Sequence, residues 1–344
     1  MKTKAAILTE HNQPLLISDN IEIPALAYGQ VLVKIRYSGI CGSQIMEING
    51  FRGHDPWLPH MLGHEASGTV METGPGVTHV KHGDEIILSW IKGLGLDVSG
   101  PKYTLDGKII NSGPVTTFSN YTIVSENRCT KIRKKIPHTV SALLGCAVLT
   151  GFGAVNNFLG HVKDRSIAIF GLGGIGLSGL MAASYHKLDP IIAVDVTQEK
   201  LKLAEELGAT HLVDASRQDA VKYIRQLTKG GTGISFEASG STDVIENAFN
   251  SVKINGGICV FAGHPPHNRK ISLDPFDLIS GKKIFGTWGG GSRPEKDVPF
   301  LVDLYLQGGL PLEKLISGIY DLDDINLAIG EMQRGLSGRI LVKM

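Results

Sequence analysis

The hydrophobic pattern changes its period once, near residue 160. Before that point apolar residues come in short alternating runs. Val31-Leu-Val-Lys-Ile-Arg-Tyr37 reads as a half-buried strand, and 65–72 and 85–90 read as further short strands, because successive strand side chains face opposite sides. Turn clusters such as Gly74-Pro75-Gly76 separate them. Residues 92–114 hold many glycines and few large apolar side chains, which predicts a long surface lobe. After residue 160, short apolar runs at 167–170, 191–194, 212–213, 234–236 and 258–261 alternate with helical stretches. Those stretches run from a glycine loop at 171–176 to about 187, then 198–207, 220–228 and 243–253. Strand–helix alternation of this kind predicts an α/β unit with a parallel sheet covered on both faces. Two further helices, 297–307 and 324–334, and a strand at 339–342 close the chain.

Composition narrows the function. Lysine and arginine number 34 against 33 acidic residues, so the basic excess expected of a nucleic-acid binder is missing. The length, 344 residues, suits two domains. The apolar patch Ala5–Leu8 is shorter than the 7–15 or so residues of a signal-peptide core, and no run approaches the ~20 of a membrane span. The richest stretch, Leu143–Val155, is broken by Gly145, Thr150, Gly151 and Gly153. Four cysteines, Cys41, Cys129, Cys146 and Cys259, make no disulfide framework, and a reducing, cytoplasmic setting is expected. Glycine is the outlier at 43 residues, so tight turns and close backbone approaches should be numerous.

The glycines matter most at Gly171-Leu-Gly173-Gly174-Ile175-Gly176, directly after a predicted strand and opening a helix. Gly171 permits the turn, Gly173 lets backbone approach a pyrophosphate, and Gly176 lets helix and strand pack closely. The helix N-terminus offers N–H groups and partial positive charge to the phosphates. Asp195 lies at the end of the next strand, 19 residues after Gly176. A carboxylate there accepts hydrogen bonds from ribose hydroxyls and repels a 2′-phosphate, which predicts NAD over NADP.

A second constellation is non-local. Cys41, His64 with Glu65, and Cys146 are each flanked by glycine, at spacings of 23 and 82 residues. Two thiolates and an imidazole would hold zinc with one position open. Spacing alone leaves a plainer reading equally open: two buried thiols and a satisfied core histidine. Cys259 sits in an apolar run and reads as core, and Cys129 lacks glycine flanks.

With these residues in place, the chain resembles the zinc-dependent medium-chain alcohol dehydrogenases. The resemblance is carried by PALAYGQVLVKI (24–35), GICGS (39–43), GHEASGTV (63–70), TTFSNYTIV (116–124), GCAVLTG (145–151), FGLGGIGLS (170–178) and GLSGRILVKM (335–344). It implies a GroES-like β-rich catalytic domain over 1–155 and 290–344, and a Rossmann NAD-binding domain over 156–289. It implies Cys41, His64 and Cys146 as catalytic zinc ligands, Glu65 as the neighbouring acid or a transient ligand, and Ser43 as the hydroxyl that takes the alcohol proton. It also implies Thr150, Asp195, Lys200, Ala262, His264 and Arg339 as coenzyme contacts beside the glycine loop, and Trp90 and Trp288 as pocket walls. The implied substrate is a small primary or secondary alcohol, or the matching aldehyde or ketone, and the implied assembly is a homodimer or homotetramer in which strand 283–288 or its neighbour extends a sheet across a two-fold axis.

Four departures qualify this. Many members carry four cysteines for a structural zinc, yet 89–115 contains none, so one catalytic zinc per chain is expected. Gln44 stands where an aspartate often orients the metal histidine, and Met46 where a relay histidine occurs in animal enzymes. The expected proton route therefore runs through Ser43 and the coenzyme ribose without Glu47 or His54. His264 stands where a plain apolar residue is common. Competing readings are a zinc-free quinone or enone reductase, which would lack the ligand set, and a coenzyme-binding protein without turnover.

Overall fold

A computed structural model describes residues 1–335 and 338–344; Leu336 and Ser337, in the last of the resemblance motifs, lie outside the described residues. The chain forms two compact units, 1–146 with 293–308 and 316–344, and 147–292 with 309–315. The expected division differs at 147–155, 290–292 and 309–315, and packing supplies the reason. Helix Ala147–Asn156 lies so close to helix Gly174–Tyr185 that a Cβ on Gly151 would sit 2.0 Å from the Ile175 carbonyl oxygen. Ser292 donates to the Leu149 carbonyl at 2.7 Å, and Lys314 pairs with Glu206 at 2.9 Å. Gly151 and Gly153, which read as breaks in 143–155, are thus contact points in a helix buried from Ala147 to Val155.

The first unit holds two sheets. One runs His60–Met61, Lys2–Leu8, Leu16–Glu22, Tyr103–Leu105, Lys108–Ile110. Its Ala5–Leu8 segment is wholly buried because both faces are covered: Ile7 packs with Tyr103 and Ile110, Leu8 with Ile40 and Phe118. The other sheet runs Cys129–Lys131, Glu85–Ser89, Glu65–Thr73, Gln30–Gly39, Arg339–Lys343, Ile316–Asp321, with Tyr121–Ser125 also paired to Gln30–Gly39. The predicted strands at 31–37, 65–72, 85–90 and 339–342 all lie in this sheet.

The lobe at 92–114 contains a small hairpin, Tyr103–Leu105 with Lys108–Ile110, which its polar composition concealed. Its approach segment is held by the buried carboxylate of Glu126. That group accepts from the backbone N–H of Thr78 at 2.6 Å, of His79 at 2.7 Å and of Leu96 at 2.8 Å. Burial pushes the Glu126 carboxyl up, and these three donors more than reverse it, leaving the group below its ordinary range.

The second unit is a six-stranded parallel sheet. Its strands run His211–Asp214, Ile191–Asp195, Ile167–Phe170, Ile234–Glu237, Ile258–Phe261, Lys283–Gly286. Numbered from Ile167–Phe170, the order is 3-2-1-4-5-6, the doubly wound arrangement that places ligands beyond the strand ends where the order reverses. Its first, second and fourth strands are buried end to end, as helix-covered parallel strands are. No described helix is long and apolar enough to cross a membrane.

Replacing Glu126 with glutamine leaves one acceptor oxygen for three N–H donors and should lower unfolding free energy by about 1–3 kcal/mol at pH 7. Because the native carboxyl is held low, its contribution is present above the unfolded value of about 4.3 and is lost as pH falls through the native value. Denaturant melts at pH 7 and pH 3 check this: the difference between wild type and Glu126→Gln should shrink in acid.

Candidate metal centre and coenzyme loop

Strand pairing assembles the metal centre. Strand Gln30–Gly39 ends just before Cys41, which caps the short helix Gly42–Ile48 in an extended conformation. Its neighbour begins at Glu65, so His64 arrives beside Cys41, and Ser38 donates to the Glu65 carbonyl at 2.9 Å. On the far side Glu65 faces Ser89, whose hydroxyl donates to the Gly145 carbonyl at 2.5 Å and draws Cys146 in. A Cβ on Gly39 would lie 2.4 Å from Glu65 Oε1, and one on Gly145 would lie 2.3 Å from the Leu88 oxygen and 2.8 Å from Glu65 Cβ. Those two glycines are required by Glu65, whereas a Cβ on Gly42 would meet nothing within 4 Å.

The result places Cys41 Sγ, Cys146 Sγ and a ring nitrogen of His64 within 4.8 Å of one another. Both thiols are buried, and His64 Nε2 is buried with no hydrogen-bond partner among the described residues. An orphaned imidazole nitrogen facing two thiols is the donor set of a zinc site with one open position, so these residues fit the metal. The Cys146 thiol donates to Cys41, and that bond, with the Arg339 charge, lowers the Cys41 pKa well below the ordinary thiol range against the push of burial. The same bond, burial and the Glu65 carboxylate raise Cys146. Cys129 and Cys259 are buried as expected of packing residues; burial raises both, Cys259 to about 12.

Around the ligands, Gln44 does two tasks. Its Oε1 accepts from the Cys41 N–H at 2.7 Å and its amide nitrogen lies 2.8 Å from His64 Nδ1. A metal on Nε2 leaves the ring proton on Nδ1, which then needs an acceptor. One amide oxygen is thus claimed by two N–H groups, where a carboxylate would offer two oxygens. Arg339, expected near coenzyme phosphates, is buried in the first unit. It pairs with Glu65 at 3.1 Å and donates through Nη1 to the Ile40 carbonyl at 2.9 Å. Ser43 is half-buried in the first turn of the helix that Cys41 caps. Trp90 donates to Cys146 Sγ at 3.2 Å and stands edge-on to His64 at 6.4 Å.

His64 and Trp90 line a cavity of about 860 Å³ within the first unit. Apolar and charged side chains share its wall. Trp90 lines it, but so do Arg52, Asp55, Lys92, Asp97 and Lys102, and Trp288 is 74% exposed on the other unit.

In the second unit Gly171 has φ +84°, and a Cβ there would lie 2.8 Å from the Ser239 nitrogen. A Cβ on Gly176 would lie 1.8 Å from the Gly171 oxygen, which is the close packing expected of it. Nothing lies within 4 Å of a Cβ on Gly173, which caps helix Gly174–Tyr185, so that approach is open. Asp195 holds the loop as well as the strand end: its carboxylate accepts from Leu172 N at 2.7 Å, Val196 N at 2.8 Å and Thr197 N at 3.0 Å. A carboxylate accepts about four bonds, which leaves room for a ribose hydroxyl. Lys200 is half-buried on helix Gln198–Glu206, Ala262 is half-buried just beyond strand Ile258–Phe261, and exposed His264 donates to the Pro265 carbonyl at 2.8 Å. Thr150 Oγ1 is buried with no hydrogen-bond partner among the described residues.

Sequence reasoning missed Glu237. It ends its strand wholly buried, accepts from Ser239 N and Oγ and from Gly240 N at 2.5–2.9 Å, and thereby fixes the turn against which Gly171 packs. Burial raises its carboxyl. The available signal was a carboxylate closing an apolar run, Ile234-Ser-Phe-Glu237.

A β-rich unit with a buried Cys/His/Cys cluster and a doubly wound unit with an open glycine loop together define a metal-assisted dehydrogenase. Known proteins agree with that class. Residues 27–134 match the family described as alcohol dehydrogenase GroES-like domain, and 174–306 the family described as zinc-binding dehydrogenase. S-(hydroxymethyl)glutathione dehydrogenase of Paracoccus denitrificans is 34% identical over 99% of this chain and 100% of its own. Among solved structures, benzyl alcohol dehydrogenase from Acinetobacter calcoaceticus has 29% identity and a TM-score of 0.90 over 100% of this chain and 99% of its own. An alcohol dehydrogenase zinc-binding domain protein from Burkholderia ambifaria has 28% identity and a TM-score of 0.92 over the same shares. The chain belongs to the zinc-dependent medium-chain alcohol dehydrogenase family.

The double demand on Gln44 gives a test. Gln44→Ala should weaken zinc retention roughly 10–100-fold, and Gln44→Glu, with two oxygens, should strengthen it. Competition with a chromogenic chelator measures both; equal affinities would show that the amide does not orient His64.

Proposed function

We propose that this chain catalyses NAD-dependent oxidation of a primary or secondary alcohol, and the reverse reduction of an aldehyde or ketone, at one catalytic zinc held by Cys41, His64 and Cys146. The observation that carries this is the convergence of two buried thiols on an imidazole whose Nε2 has no hydrogen-bond partner among the described residues. Zinc in such a site lowers the pKa of an alcohol hydroxyl by several units and polarises a carbonyl. NAD supplies the hydride acceptor.

The chain's own residues divide the remaining work. Ser43 takes the hydroxyl proton and passes it outward. Glu65, held by Arg339 at 3.1 Å, sets the electrostatics behind the ligands and is kept from competing for the metal. Trp90 packs against His64 and Cys146 and excludes water from one side of the ligands. In the second unit the N–H groups of Gly174, Ile175 and Gly176 receive the pyrophosphate, with Gly171 and Gly173 shaping the approach. Asp195 and Lys200 hold the adenosine ribose, Thr150 packs on the nicotinamide, and Ala262 and His264 border it. Arg339 is assigned to the phosphates on the family resemblance, its guanidinium being buried beside Glu65 and Cys41 in the first unit.

Glu126 ties down the start of the lobe at 92–114 through the Leu96 N–H, which supports a lobe held without a structural zinc. Among the described residues the sheet edge Lys283–Gly286 is paired on one side only, which supports dimerisation by strand addition across a two-fold axis, alone or within a tetramer. All four cysteines are free thiols, as a cytoplasmic protein would have.

Initial rates on primary, secondary and polyol alcohols with NAD and NADP test this reading. Turnover should favour NAD, and Asp195→Ala should erode that preference. Dialysed protein should carry one zinc per chain, and Cys41→Ser or Cys146→Ser should lose both zinc and turnover. Preference for NADP would contradict the role of Asp195, and active protein with well under one zinc would restore the zinc-free reductase reading.

A further inference from the structure

The geometry points to a second, exchangeable divalent-cation site in the first unit, built by Glu47, Asp55 and His60 and separate from the Cys41, His64 and Cys146 centre. One oxygen of each carboxylate and one nitrogen of the ring lie within 4.8 Å of one another.

Histidine chemistry makes the cluster more than a group of surface acids. His60 is 6% exposed. Its Nδ1 lies 3.0 Å from the Met61 carbonyl oxygen, which can only accept, so Nδ1 carries a proton and donates. In the neutral ring Nε2 then presents a lone pair. That lone pair faces Asp55 Oδ2 at 2.9 Å and Glu47 Oε1 at 3.9 Å, two further acceptors. Three acceptors turned toward one point require a positive species among them, either a second ring proton or a cation.

The spacing suits a cation. With ligand bonds of about 2.1 Å, neighbouring donor atoms stand about 3.0 Å apart and opposite ones about 4.2 Å. The His60–Asp55 contact of 2.9 Å, which is also a hydrogen-bond length, matches the first value, and the His60–Glu47 separation of 3.9 Å lies near the second. Each outer atom is tethered as metal ligands usually are. Asp55 Oδ1 accepts from Trp57 N at 2.9 Å, Glu47 Oε2 pairs with Arg52 Nη1 at 3.3 Å, and His60 Nδ1 is committed to Met61.

Space and charge agree. Glu47 and Asp55 line both the 860 Å³ cavity and a second one of about 180 Å³ beside it. Water can therefore complete a shell and a cation has a path in. His11 Nε2, 3.9 Å from Asp55 Oδ2, is a further nitrogen within reach of a side-chain rotation. Two carboxylates against one guanidinium leave a net negative site. One imidazole and two carboxylates, with no thiolate, suit Mn²⁺, Fe²⁺, Co²⁺ or Zn²⁺ held more weakly than at the cysteine centre.

Mn²⁺ is the probe, because its preference for oxygen and imidazole keeps it from a thiolate pair. Zinc-loaded, dialysed enzyme is titrated with Mn²⁺ and the free ion is read by electron paramagnetic resonance, with zinc measured alongside. One Mn²⁺ per chain should bind while zinc content holds. Asp55→Asn keeps an oxygen for the Trp57 N–H but removes the charge, and His60→Gln removes the ring. Each should weaken Mn²⁺ binding by roughly tenfold or more without changing zinc content. If His60→Gln does not fold, Asp55→Asn decides alone. No Mn²⁺ uptake by wild type, uptake only with loss of zinc, or undiminished binding by Asp55→Asn overturns the site, and none of these outcomes bears on turnover at the cysteine centre.

Discussion

The metal centre depends on a carboxylate that need not touch the metal. Glu65 is wholly buried and paired with Arg339, itself 3% exposed. Removing one partner of such a pair strands a charge in the interior, at a cost of about 3–5 kcal/mol. The pair also governs its surroundings. Gly39 and Gly145 leave room for the Glu65 side chain, and these glycines flank the segments that deliver Cys41 and Cys146. The Arg339 charge helps hold Cys41 toward the thiolate that a metal requires, while the Glu65 charge works against ionisation of Cys146. Ligand geometry and ligand protonation are therefore coupled to one interaction.

The same device recurs with backbone donors in place of the guanidinium. Glu126, Asp195 and Glu237 each gather backbone N–H groups of a loop onto a carboxylate. A loop leaves donors that helices and strands do not use, and an acceptor with two oxygens satisfies several at once. Glu126 secures the lobe, Asp195 joins the glycine loop to the next strand, and Glu237 fixes the turn against which Gly171 packs. In each case the carboxylate belongs to a well-packed element and the loop conforms to it. Loops that must meet a coenzyme or line a cavity are thereby held by a few charged hydrogen bonds where a packed core is lacking.

Much of this was legible in particular residues. The apolar runs from 167 to 261 specify parallel strands because a strand buried on both faces has no polar side to show. Gly171 and Gly176 declared their turn and their close packing, and Asp195 its place at a strand end. Leu143–Val155 did not declare itself: Gly151 and Gly153 look like helix breakers until their neighbours, Ile175 and Ser292, are seen to occupy the space a side chain would need. Arg339 reads as an anion-binding residue, and nothing local in the sequence shows that its buried partner is Glu65.

By itself the sequence determined the alternation of strands and helices, the coenzyme loop and the inventory of metal-binding side chains, because each depends on local period, backbone freedom or side-chain chemistry. Tertiary structure alone decided that Cys41, His64 and Cys146 converge, that Glu65 and Arg339 stand behind them, and that Glu47, Asp55 and His60 share a point on a cavity wall. Those relations join residues far apart in the chain through strand register and burial, and no local pattern carries a distance between strands.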